Sequence, residues 1–269
     1  MKQTKLSHET DTPFSKEGQE IGALLRRKAP DEEFQAVIDS IQTQATELAL
    51  DPVVASTDVF MTAVCWVGSK SLSHVLACID RTKGRLLDAG SSSEAARAQI
   101  ISAVMAYWHA HPGVAISIVE KLLNYSILTP FSVVDWALVA STPANGTDGG
   151  ESLAESYIFE LVSNTVAKVT GRTRQLLVSP DADEETRTKE AKATRDLFHA
   201  MNDALVSWAG GSKDELMEEG DGSTDREALI RRWGQRWLRV FKRMGAIEEA
   251  FALEAAKDKM VTADVEEKN

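Results

Sequence analysis

The sequence predicts an all-α fold, a superhelical solenoid of successive antiparallel helix pairs, on three observations. Apolar residues recur every three or four positions from Ser15 almost to the end of the chain, the spacing that builds one buried stripe on a helix. Short connectors carrying Pro, Gly or a capping Ser separate these stretches. Alternating apolar and polar runs bounded by hairpin turns are missing, and so is any strand-loop-helix unit. With 269 residues, 43% of them hydrophobic, the chain can bury a large core. Helix pairs in this number stack into a curved solenoid more naturally than they close into one four-helix bundle. No fixed period is visible, so the repeats are structural and degenerate.

The elements follow in order. Residues 1–14 are polar and aperiodic and read as a flexible arm. Ile21, Leu24 and Leu25 mark a helix from Ser15 to Lys28, and Phe34, Val37, Ile38, Ile41, Ala45 and Leu48 mark another from Asp31 to Leu50. Pro30 suits the first turn of the second, which makes a hairpin. Further helices are expected over Thr57–Val67, Ser71–Leu87, Glu94–His109, Pro112–Tyr125 and Pro130–Val139, with a capping serine before Glu94 and prolines opening the last two. Ser141 to Gly150 reads as a loop, followed by two long helices, Ser152–Val178 and Glu184–Trp208. The acidic, glycine-rich stretch Gly210 to Thr224 reads as a surface loop. Helices over Asp225–Arg243 and Ala246–Lys257 then lead to a polar tail. The resulting organisation is a single helical-repeat domain over 15–258 with a tail over 259–269.

Charge and motifs narrow the function. Lys plus Arg number 30 and Asp plus Glu 41, so the formal charge is −11, which argues against a whole-surface grip on nucleic acid or anionic lipid. The only two cysteines, Cys65 and Cys78, lie in apolar segments, and the start lacks the apolar stretch of a secretory signal, so a reducing nuclear or cytosolic compartment is expected. The longest apolar stretches fall short of the roughly 20 residues a membrane span needs, and no membrane association is expected. Gly68-Ser69-Lys70-Ser71 shares a fragment of the phosphate-binding loop but lacks its upstream glycine. The GxSxG elbow of serine hydrolases is absent. His109 and His111 diverge on a helix by about 200°, and neither cysteine sits in a CxxC clamp, so no metal site is expected. No catalytic residue and no cofactor follow from the sequence.

One segment opposes the acidic trend. From Asp225 to Arg243 seven basic residues stand against two acidic ones, a local balance of 7 − 2 = +5. Leu229, Trp233, Trp237, Val240, Phe241 and Met244 are expected to form its buried stripe. Arg232, Arg236, Arg239 and Arg243 then form a row on another face, a candidate docking strip for an acidic partner or an RNA backbone. Pairing with the acidic loop Asp214 to Asp221 is the structural alternative. Trp66, Trp108, Trp136 and Trp208 read as core rather than as a stacking platform.

Val59-Phe60-Met61-Thr62 leading to Gly68-Ser69-Lys70-Ser71-Leu72-Ser73-His74, then Trp108-His109-Ala110-His111-Pro112 and Val133-Val134-Asp135-Trp136-Ala137, resembles the C-terminal part of the large subunits of nuclear cap-binding complexes. The opening hairpin and Tyr157-Ile158-Phe159-Glu160-Leu161 extend the resemblance over about residues 13 to 170. It implies the last of three HEAT-like domains related to the middle domain of the translation initiation scaffold, with no counterpart of the first two in this chain. It implies a non-catalytic scaffold. A small subunit with an RNA-recognition fold holds the cap, capped RNA is reached through that subunit, and factors for RNA processing, splicing, export and nonsense-mediated decay are recruited. Because the large subunit does not itself hold the cap, no cap-binding residue carries over. The resemblance places the chain in the nucleus, with or without shuttling to the cytoplasm. A helical-repeat adaptor of translation initiation or nonsense-mediated decay is the alternative of the same fold. An all-helical enzyme is the alternative of another class, and it would need a convergent polar pocket with a perturbed acid or base.

Overall fold

The computed structural model describes residues 12–139, 150–210 and 225–266. Most of the flexible arm, most of the 141–150 loop, and the acidic stretch apart from Gly210 lie outside the described residues. Among those described there are eleven α-helices and no strand. They fall into two compact units, one through Trp136 and one from Ala137 onward.

The first unit is a series of short helices. α1 (Ser15–Arg27) and α2 (Asp31–Glu47) form the opening hairpin, and both pack on α3 (Pro52–Val67). α1 ends where Lys28 takes a left-handed conformation, φ 57°, and the Ala29 amide bonds back to the Leu24 carbonyl at 3.0 Å. α3 starts earlier than its apolar pattern suggests. The Asp51 carboxylate accepts the Val53 and Val54 amides at 2.9 and 3.0 Å with Pro52 in the first turn, and that cap sets the start. α4 (Leu72–Arg81) and α5 (Lys83–Ser92) replace the one helix expected over Ser71–Leu87. The break falls at Thr82, whose hydroxyl donates to the Cys78 carbonyl at 3.0 Å. α6 (Glu94–Tyr107) begins at the expected serine, Ser93, whose hydroxyl accepts the Ala96 amide at 3.1 Å. α7 (Pro112–Asn124) and α8 (Pro130–Leu138) both open on proline. Neighbouring helices pair and the pairs stack, α3 on α6, α5 on α6 and α4 on α7, so the first unit is built as a helical repeat. Trp136 closes its core by donating its indole N–H to the Ser102 hydroxyl at 2.8 Å.

Gly68-Ser69-Lys70-Ser71 is a turn between α3 and α4. Ser71 caps α4 through the His74 amide, and a Cβ on Gly68 would lie 2.4 Å from the Val75 Cα, so close helix packing accounts for the glycine.

The second unit has long helices: α9 (Ser156–Val178), preceded by a 3₁₀ turn over Glu151–Ala154, α10 (Glu184–Gly210) and α11 (Asp225–Glu266). All three pack on one another. α11 is one helix of 42 residues, where two had been expected over 225–243 and 246–257. Gly245 is the reason the pattern misleads. A Cβ there would stand 3.2 Å from the Phe198 ring, so this glycine admits α10 to close contact instead of ending the helix. Gly150, at φ 82°, does need glycine: a Cβ would also meet the Ile230 side chain at 2.6 Å.

Candidate functional site

α11 presents three different faces over its first six turns. Inward, Trp237 and Phe241 are 2% and 3% exposed and meet the Phe159 ring of α9 at 5.0 and 5.8 Å between centroids. The Phe159 and Trp237 rings cross at 79°, the edge-to-face arrangement that ring quadrupoles favour. Leu229, Val240 and Ile247 lie exposed at 49%, 41% and 48%. Leu229 and Val240 are therefore not in the buried stripe where their spacing put them. α9 and α10 cover a narrower arc of α11 than the apolar spacing spans, and these two residues sit beyond its edge.

The third face is basic. Arg232, Arg236, Arg239 and Arg243 are all exposed and follow one another at intervals of four, three and four, so one continuous helix carries them on one side. Among the described residues none of the four enters an ion pair. Arg236 stacks over the half-buried Trp233 ring at 5.0 Å. At about 100° per residue the apolar lane and the basic lane are adjacent, and they run side by side over the Arg232 to Arg243 stretch, about 17 Å.

Where α11 meets the 3₁₀ turn and the start of α9, a cavity of about 440 Å³ opens, lined by Leu153 and Phe159 together with Trp233, Arg236, Trp237, Arg239 and Val240. Glu155 and Ser156, at the start of α9, line it too. Sequence reasoning had Arg236 and Arg239 as docking residues and Trp233, Trp237 and Val240 as a buried stripe, but not the cavity they line together. Leu153 and Phe159 reach it through tertiary packing, and the only local signal was the interleaving of tryptophans and arginines at positions 233–239.

A second groove of about 390 Å³ runs between α9, α10 and α11. Of its two arginines, Arg174 and Arg195, the first is already engaged, since Arg174 donates to both oxygens of Glu248 at 2.8 and 2.6 Å. The buried hydroxyls of Thr173 and Thr194 meet there at 2.7 Å.

The other sequence candidates are dispersed. Cys65 and Cys78 are buried free thiols, and burial pushes the Cys65 thiol up to about 12. His109 and His111 are exposed, with His109 Nδ1 3.0 Å from the Ala106 carbonyl. Among the described residues no group of three or more His, Cys, Asp or Glu is placed to hold a metal, and no helix is long and apolar enough to cross a membrane. Trp108 and Trp136 are core residues as expected, whereas Trp66 and Trp208 are half-buried. Trp208 donates its indole N–H to the Leu138 carbonyl at 2.7 Å.

The described helices define the chain as an all-α protein of the helical-repeat class. More particularly, the chain belongs to the MIF4G-like family, whose model matches residues 6–250. Two curated proteins are similar to it, both called nuclear cap-binding protein subunit 1. That of Schizosaccharomyces pombe is 24% identical over 169 residues, 62% of this chain and 20% of the relative. That of Anopheles gambiae is 23% identical over 198 residues, 74% of this chain and 23% of the relative. The chain thus spans about a fifth of the length of these curated relatives.

Proposed function

We propose that this chain is a non-catalytic scaffold domain of a nuclear mRNA cap-binding complex, with residues 15–258 acting as one helical-repeat domain. It supports a small cap-binding subunit of RNA-recognition fold, reaches capped RNA through that subunit, and offers surfaces to RNA-processing and export factors. The observation that carries this reading is the MIF4G-like match over residues 6–250 in a chain whose curated relatives are cap-binding subunits. The physics suits it. Stacked helix pairs make a long rigid surface, and such a surface raises a partner's apparent cap affinity when it raises the fraction of that partner in its competent form. Within this reading the row Arg232, Arg236, Arg239 and Arg243 is a docking strip for an acidic partner or an RNA backbone.

Co-purification with the small cap-binding subunit tests the proposal. The two are expected to elute together and to bind capped RNA as a pair, while this chain alone, at a charge of −11, binds capped RNA weakly at physiological salt. Tight cap-dependent binding by the chain alone would overturn the division of labour.

A further inference from the structure

We infer that the cavity beside the arginine row is the anchor pocket for an acidic linear peptide, one bulky apolar side chain filling it while flanking carboxylates lie along the arginines. The inference rests on the reading of that row as a docking strip and names the strip's occupant.

Three features carry it. The cavity, about 440 Å³, is walled mainly by apolar groups from three elements, Leu153 of the 3₁₀ turn and Phe159 of α9 on one side and Trp237 and Val240 of α11 on the other. That size lies within the range of about 300–1,000 Å³ in which proteins enclose compact apolar groups. Second, Arg236 and Arg239 line the same cavity and are exposed, without an ion pair among the described residues. A carboxylate set down there gains a charge-assisted hydrogen bond and displaces no ion pair among the described residues. Third, the apolar lane through Leu229, Val240 and Ile247 continues away from the cavity beside the basic lane, so a segment longer than its anchor keeps both kinds of contact. Glu155, also on the cavity wall, sets the direction by keeping the peptide's acidic flank on the arginine side.

A nucleic acid fits the same features less well. Bases bind sequence-tolerant sites by stacking on free ring faces. Here Phe159 and Trp237 pack edge to face at 5.0 Å, and Trp233 has Arg236 over its ring at 5.0 Å. An overall charge of −11 further weakens the phosphate term.

The test selects binders to the full chain from a displayed library of random peptides, then measures the selected peptides by fluorescence anisotropy against two variants. Ser156→Trp fills the cavity from the exposed first turn of α9, and Arg236→Glu/Arg239→Glu reverses the rim. Selected peptides are expected to carry a Leu, Phe or Trp flanked by Asp and Glu. Each variant should weaken them by about tenfold, the size of a lost interface anchor, with melting temperatures near wild type. Peptides without acidic flanks, or binding indifferent to Ser156→Trp, overturn the inference. Loss with the arginine variant alone leaves the docking strip standing and removes the pocket, whereas indifference to both variants removes the strip as well. Single-stranded RNA bound more tightly than any selected peptide makes the strip an RNA site. Self-association of the chain that Ser156→Trp abolishes makes the occupant a second copy. Both of these also overturn the inference.

Discussion

α3 and α11 show two ways of using a helix. α3 is buried at nearly every position from Ser56 to Cys65, because its unit sets other helices against all its sides. Its neighbours fill the space with aliphatic groups such as Ile21, Ile41, Ile79 and Ile100, all fully buried. α11 has one packed face, closed by rings rather than by branched aliphatics, and leaves Leu229, Val240, Ile247 and Leu253 in solvent. A helix surrounded by its own fold has no side left for a partner. One packed on a single face keeps the other two for binding, and in this chain that is where the basic row lies.

The comparison is broken most directly at the rings. Trp237→Ala removes a fully buried indole between Phe159 and Phe241 and is expected to cost about 3–5 kcal/mol, read as a lowered melting temperature. Trp233→Ala, four residues earlier and half-buried beside the cavity, is expected to cost clearly less. Equal losses would mean that α11 is packed on both faces and that the contrast with α3 is false.

How much of this was legible follows from the same contrast. Local chemistry was readable: Ser93 caps α6, prolines open α7 and α8, and the interval of the four arginines puts them on one face. The start of α3 was not readable from periodicity, since a helix buried all round has no polar side to set a period, and its signal was the Asp51-Pro52 cap instead. Gly245 reads locally as a breaker, and only the Phe198 ring from α10 reveals it as a packing glycine. The cavity could not be read at all. Leu153 and Phe159 join Trp237 through tertiary contact, which leaves no trace in spacing. The family resemblance stopped near residue 170, short of the helix that carries the candidate site.

The next effects are smaller and sharpen the difference in core chemistry. In the second unit the Thr173 and Thr194 hydroxyls pair in the interior at 2.7 Å. Thr173→Val is expected to cost about 1–3 kcal/mol by leaving its partner buried and unpaired, and adding Thr194→Val should recover part of that loss. Simple additivity in this double-mutant cycle, measured by denaturant unfolding, would show the pair to be dispensable. In the first unit, Asp58 is the acidic residue within the buried stretch of α3. Burial raises its pKa above the ordinary value, although Gln99 donates to the carboxylate at 2.8 Å and works the other way. A raised folded-state value means that the unfolded chain ionises first. Stability is then fullest below the unfolded-state value, about 3.9, and declines as pH rises through the folded-state titration of Asp58. Asp58→Asn is expected to raise stability at neutral pH and to remove that decline, as checked by unfolding across a pH series. An unchanged slope would assign the titration elsewhere.

The smallest expected change in stability falls on the basic face, and it separates binding from folding. Arg232→Glu with Arg243→Glu alters the two ends of the row and leaves Arg236 and Arg239 at the cavity in place. Both side chains are exposed and make no ion pair among the described residues, so each substitution should cost at most about 1 kcal/mol and the melting temperature should hardly move. Association is different, because charge spread along the helix acts at a distance before contact is made. The rate of binding the small cap-binding subunit, or a selected acidic peptide, should fall and lose most of its dependence on salt, while dissociation changes little. Stopped-flow measurements at low and physiological ionic strength read both rates. If the variant instead melts well below the wild type and binds as fast per folded molecule, the outer arginines serve the fold, and the basic face of α11 joins α3 as surface already spoken for.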